Sequence, residues 1–194
     1  MKINFLWPAI FLFSFIGVTP PYKIGDKINN FTLYNAADDT RISLNDFVAS
    51  RGVVLVFTSN DCPYAKLYEK RLLEIQNEYN AKEIKFLFIN PNNPQTSPAD
   101  NKTVMKKKAY PFPYLIDSSQ EVANIFEASK TPEVFVLKNI NGSFMLKYKG
   151  AIDDNPQAES DVSRFYLKDA LNAIVSNGSI KVNDFRAIGC MIQR

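Results

Sequence analysis

The chain has no histidine among its 194 residues and only two cysteines. The missing histidine excludes Ser-His and Cys-His dyads, imidazole acid/base chemistry and the common zinc and haem ligand sets. Charge of one sign is also lacking: 23 basic against 20 acidic residues leave a formal +3. The basic residues are dispersed except for Lys106-Lys107-Lys108, read as a solvated run, so no nucleic-acid partner is expected. The apolar run from Phe5 to Val18 falls short of the ~20 residues that a membrane-spanning helix needs. Preceded by Lys2 and followed by Thr19-Pro20-Pro21, it has the layout of a secretory leader. Residues 1–20 are therefore expected to be a signal sequence or, because small residues for cleavage are scarce, an N-terminal anchor. Export to a periplasmic or other extracytoplasmic compartment follows, with membrane contact only through that leader. Disulfides form and persist in such a compartment.

At 46% hydrophobic and 22% charged, the remainder has the composition of one globular domain, expected over 23–194. "YKIGDKINNFTLYNA" and "DDTRISLNDFVAS" alternate apolar and polar residues, which predicts short edge strands and a turn of helix. Val53 to Phe57 are consecutively apolar, as in a central strand covered on both faces. Tyr64, Tyr68, Leu72, Ile75 and Tyr79 follow at helical spacing, with Pro63 at the first helical position. Glu83 to Pro91 predicts a second buried strand, completing a βαβ unit. After a polar loop come a short helix in "KTVMKKKAY", an extended "PFPYLIDSS" and a helix in "QEVANIFEAS". "TPEVFVLK" and "FMLKYKGAI" flank Asn141-Gly142 and predict a hairpin. A last helix is expected from about Ser160 to Val175, and the tail from Asn177 shows no period. This order matches the thioredoxin fold, an α/β arrangement with a central mixed sheet flanked by helices, here with N- and C-terminal extensions. Periodicity alone leaves other α/β arrangements open.

Two local features carry chemistry. Cys62 follows a strand and opens a helix, where unpaired N–H groups and the helix dipole stabilise a thiolate. The alternative is a small buried hydrophobe, but the polar, turn-forming flanks "SND" and "PYAK" favour a partly exposed junction. Thr131-Pro132 precedes the hairpin. An ordinary strand-start proline is the bland reading; a cis bond beside the cysteine is the specific one.

"FTSNDCPYAKLYEKRL", "INPNNPQTSPADN", "FPYLIDSSQEVANIFEASKTPEVFVL", "YKGAIDDN" and the terminal "GC" together resemble thioredoxin-like redoxins of the alkyl hydroperoxide reductase/thiol-specific antioxidant group, from about Lys23 to the C-terminus. The resemblance implies that Cys62 is the attacking cysteine and that Thr131 and Pro132 line the pocket opposite it; Pro63 and Tyr64, beside Cys62, are counted with the substrate-binding residues, Tyr64 either shaping the pocket rim or joining the apolar stripe. It implies a thiol-dependent oxidoreductase of antioxidant type, with no cofactor, that takes electrons from an external thiol reductant and acts on a peroxide or an oxidised protein. Two departures stand out. Ala65 occupies the second position of the Cys-x-x-Cys that thioredoxins carry. Ser59 and Leu55 stand where peroxiredoxins carry Thr and Pro, which argues against efficient peroxide activation.

Either reaction needs a second thiol to resolve the Cys62 adduct. Cys190 is the only candidate; pairing within the chain, pairing with a partner chain and a buried free thiol all stay open. The rival function is a binding module that keeps the fold and has lost catalysis. Lys66 is read as a solvated helix lysine before a thiolate partner, Asp153-Asp154 as a solvated turn before a metal site, and "NPNNP" as turn chemistry.

Overall fold

The computed structural model describes residues 20–194. The expected leader therefore lies outside the described residues except for Pro20, and among those described no helix is long and apolar enough to cross a membrane.

In chain order the elements are β1 (Thr32–Asn35), β2 (Arg41–Ser43), β3 (Gly52–Phe57), α1 (Pro63–Asn80), β4 (Ile84–Asn90), α2 (Lys102–Lys107) and β5 (Tyr114–Ile116). Then follow α3 (Glu121–Ile125), β6 (Lys130–Thr131), β7 (Glu133–Ile140), β8 (Ser143–Gly150), α4 (Tyr166–Val175), β9 (Asp184–Phe185) and β10 (Cys190–Met191). Eight strands form one sheet in the order β2-β1-β5-β4-β3-β7-β8-β9, and β6 pairs separately with β10. The parallel β3–β4 pair and the antiparallel β7–β8 pair share that sheet, which is the thioredoxin arrangement expected.

β3 sits at the centre because its side chains are apolar on both faces. Val54 and Val56 pack with Tyr68, Leu72, Ile75 and Tyr79 of α1 and with Leu167 and Leu171 of α4. Val53, Leu55 and Phe57 turn to the opposite face, against Val122, Phe126 and Phe135. Full burial of such side chains stabilises by roughly 1.5–3 kcal/mol each, which makes this strand a rigid base for whatever its C-terminal end carries. The α1 stripe differs from expectation at its first member. Ala65, not Tyr64, faces the core, and Tyr64 is half-buried at the side. Asn141 and Gly142 both adopt left-handed φ angles, 51° and 81°, as the tight β7–β8 turn requires.

The last helix begins at Tyr166, later than expected. Asp154 holds the preceding chain extended: its carboxylate accepts the Ser163 N–H at 2.9 Å and its own N–H donates to the Arg164 carbonyl at 3.2 Å. The α3 helix ends early, with Glu127 turning into a left-handed φ of 53°. The tail without a period is bound through its backbone, β9 running parallel to β8 and β10 antiparallel to β6.

Candidate active site

Cys62 lies just beyond the C-terminal end of β3, the edge of an α/β sheet where ligands and chemistry gather. It is the N-cap of α1, with φ −75° and ψ 119°, and its Sγ accepts the Ala65 N–H at 3.5 Å. Pro63 takes the first helical position, where its missing N–H leaves nothing unsatisfied. Across from the helix, the Thr131-Pro132 peptide bond is cis. The Thr131 carbonyl oxygen stands 2.9 Å from Cys62 Sγ.

Cys62 is disulfide-bonded to Cys190, with the two Cα atoms 5.8 Å apart. The pairing is thus within the chain. Backbone pairing brings the cysteines together: β10 lies antiparallel on β6 with Cys190 opposite Thr131, and Gly189 lets the chains approach, since a Cβ there would stand 2.4 Å from the Thr131 carbonyl oxygen. The tail continues in register. The Ile192 N–H donates to Ser129, the Gln193 N–H donates to Asn92 Oδ1 at 3.2 Å, and Gln120 Nε2 donates to the Gln193 carbonyl at 2.6 Å.

This cover corrects the expected partial exposure of Cys62, which is only 3% exposed. Thr131 and Pro132 are buried beside the disulfide and line no open groove while β10 lies over them. The Thr131 hydroxyl oxygen is buried without a hydrogen-bond partner. Pro63 is exposed and Tyr64 half-buried at the rim; the Lys66 side chain is exposed, and only its backbone N–H returns to Cys62, on the carbonyl at 3.1 Å. Glu133, next to Pro132, accepts the N–H groups of Ser129 and Lys130 at 2.7 and 3.0 Å. Burial raises its carboxyl pKa despite those bonds.

Beneath the Cys62 loop is a buried polar cluster that sequence reasoning missed. Asp100 Oδ1 accepts the Asn60 N–H at 2.6 Å and Asn90 Nδ2 at 2.7 Å. Its Oδ2 accepts Ser59 Oγ at 2.8 Å, Asn92 Nδ2 at 2.8 Å and Ser97 Oγ at 2.7 Å. Burial opposes ionisation here, yet the bonds from Asn92, Ser97, Asn90 and Ser59 hold the carboxyl below the ordinary aspartate range. Asn90 and Asn92 of "NPNNP" are therefore buried donors to a carboxylate, while Asn93 is the turn residue expected, its Oδ1 accepting the Gln95 N–H at 2.9 Å. The available signal was one acid in a loop crowded with amide and hydroxyl side chains.

Asp153 also departs from expectation. It is buried, ion-paired with Arg71 of α1 and bonded by the Tyr68 hydroxyl at 2.7 Å. It fastens α1 to the loop after β8. Among the described residues no cluster of three or more metal-ligating side chains occurs.

A cysteine-capped helix N-terminus, a facing cis-proline and a second cysteine bonded to the first form the site of this thioredoxin-fold thiol oxidoreductase. Residues 24–154 match the model of the AhpC/TSA family, and the chain belongs to that family. Cys190 lies beyond the matched segment. Among solved structures, an uncharacterized conserved protein from Geobacillus kaustophilus is 30% identical with a TM-score of 0.81, the alignment covering 89% of this chain and 92% of that one. A hypothetical protein from Sinorhizobium meliloti is 28% identical with a TM-score of 0.79, covering 88% and 94%. A putative thiol:disulfide interchange protein from Chlorobium tepidum shares the fold at 19% identity, TM-score 0.60, covering 79% and 98%. No curated protein matches the chain.

Proposed function

We propose that this protein is a two-cysteine thiol-disulfide oxidoreductase in which Cys62 is the nucleophile and Cys190 the resolving thiol. The Cys62 thiolate attacks one sulfur of a substrate protein disulfide, forming a mixed disulfide and expelling a substrate thiolate. The Cys190 thiolate then attacks Cys62 Sγ, releasing the second substrate thiol and closing the Cys62–Cys190 bond. An external thiol donor returns the pair to the dithiol. The observation that carries this reading is the pair itself, a cysteine capping a helix joined to one on a tail strand.

Disulfide exchange is favoured over peroxide reduction by Ser59 and Leu55. The Ser59 hydroxyl donates to Asp100, so it is committed away from a bound peroxide, and Leu55 is a fully buried core residue. The family match favours the second reading, in which Cys62 reduces a peroxide to water or alcohol, becomes a sulfenic acid and condenses with Cys190. The leader-like N-terminus supports action outside the cytoplasm, where an oxidised pair persists.

Rapid mixing of the reduced protein with a protein disulfide, and separately with hydrogen peroxide, tests these readings. Fast reaction with the disulfide, with mass spectrometry recovering the Cys62–Cys190 bond, is expected, and Cys62→Ser should abolish it. Fast sulfenic acid formation would move the assignment to peroxide. Slow reaction with both would leave a binding module.

A further inference from the structure

Asp100 is buried, and all five of its hydrogen-bond partners are neutral. They belong to two groups. Ser59 and Asn60 are the loop between β3 and Cys62, and the Ser59 hydroxyl that donates to Asp100 also accepts the Asp61 N–H at 3.1 Å. Asn90, Asn92 and Ser97 belong to the chain leaving β4. Asn92 is bonded at both ends of its amide: Nδ2 donates to Asp100 while Oδ1 accepts the Gln193 N–H in the tail. Gln120 adds a parallel stitch, donating to both Pro91 and Gln193 carbonyls. One buried carboxylate thus reaches the segment on each side of the disulfide.

We propose that Asp100 is a positioning residue for the Cys62–Cys190 pair, holding the loop that carries Cys62 and, through Asn92, the tail that carries Cys190 in one hydrogen-bonded frame. The inference rests on the proposed reversible use of that pair. How readily two thiols close to a disulfide depends on their effective concentration, which falls when the segments bearing them are less well held. A buried carboxylate that loses acceptor capacity leaves its donors unsatisfied, at roughly 1–3 kcal/mol for each group, so the frame loosens as a unit. Asn92→Ala cuts the link to the tail and spares Ser59 and Asn60; Asp100→Asn weakens both arms.

The test is the equilibrium of the Cys62–Cys190 disulfide with dithiothreitol in the full-length chain, for the parent, Asp100→Asn, Asn92→Ala and the double variant. Folding is checked by near-ultraviolet circular dichroism. Both single variants should be about tenfold easier to reduce, a rise of ~30 mV for a two-electron couple. The double variant should shift by less than the sum of the two single shifts, because the Asn92 arm to the tail is anchored on Asp100. Amide exchange at Gln193 should quicken in Asp100→Asn although the substituted residue does not touch it. Potentials within twofold of the parent, or fully additive effects, overturn the proposal. If Asp100→Asn does not fold, Ser59→Ala replaces it, with the same shift required. A parent pair that is reduced only on unfolding sinks the proposed function and this inference together; a reducible pair with unmoved potentials sinks the inference alone.

Discussion

At the residue scale, two buried aspartates illustrate opposite couplings of charge to stability. Asp117 is 1% exposed and accepts the N–H groups of Val122 at 3.3 Å and Ala123 at 2.8 Å at the start of α3. Burial outweighs those bonds and pushes its pKa from 3.8 up to about 6. The folded chain then binds a proton that the unfolded chain has released, so this carboxyl lowers stability as pH rises from ~4 to ~6 and adds nothing further above. Asp100 has the reverse sign, its lowered folded pKa giving stability that is lost as pH falls below the unfolded value. Asp117→Asn should therefore remove a decline worth up to about 3 kcal/mol between pH 4 and 6, read as parent-minus-variant urea midpoints; an identical pH profile in both would refute the assignment. These residues also mark the limit of what the sequence discloses. Cys62, Pro63 and Thr131-Pro132 are legible because each is a local signal. Asp100 and Asp153 are not, because Ser59 lies 41 positions from the first and Arg71 82 from the second, and no local pattern announces so distant a donor.

At the element scale, long periodic elements and short backbone-paired ones behave differently. The strands β3, β4, β7 and β8 and the helix α1 follow from apolar runs, helical spacing and the Asn141-Gly142 turn, because burial selects side-chain patterns that a sequence displays. The two-residue strands β9 and β10 have no such pattern. They exist through main-chain hydrogen bonds to β8 and β6, which any residues can supply, and this is why the tail read as irregular. What its composition does supply is room. Gly189 faces the Thr131 carbonyl oxygen, and an added Cβ at 2.4 Å would collide with backbone that has no rotamer to relieve it. Gly189→Ala should push β10 off β6, separate Cys190 from Cys62 and make the disulfide at least tenfold easier to reduce in a glutathione buffer. Gly178→Ala, whose added carbon meets the movable Ser176 Oγ at 3.3 Å and Ala173 backbone only at ordinary contact distances of 3.8 and 3.9 Å, is the control and should leave that equilibrium unchanged. Equal values for the two variants would show that the close approach does not set the pairing.

For the whole molecule, the disulfide joins the end of the central strand to the end of the chain across a sequence separation of 128. Closing a loop of that length removes denatured-state entropy worth ~5 kcal/mol in the chain-entropy account, a large part of the 5–15 kcal/mol that holds a typical domain folded. The native state without the bond should nevertheless persist, because the two core clusters are complete with only Ile192 contributed by the last five residues. Those five residues are a different matter: ordering each backbone costs about 1–2 kcal/mol, and burial of Ile192 returns only ~2 kcal/mol. Reduction should therefore leave a folded domain with a loosened tail that uncovers Thr131 and Pro132. Urea unfolding of the oxidised chain against Cys190→Ser should show a midpoint lower in the variant by the equivalent of up to about 5 kcal/mol, with a steeper slope because its unfolded chain is no longer cross-linked and exposes more surface. Hydrogen exchange should quicken at Ile192 and Gln193 while Val54 to Phe57 stay protected. Unfolding of the variant without any denaturant would mean instead that the tail completes the core, and a protein so dependent on its disulfide could not open that bond once per turnover.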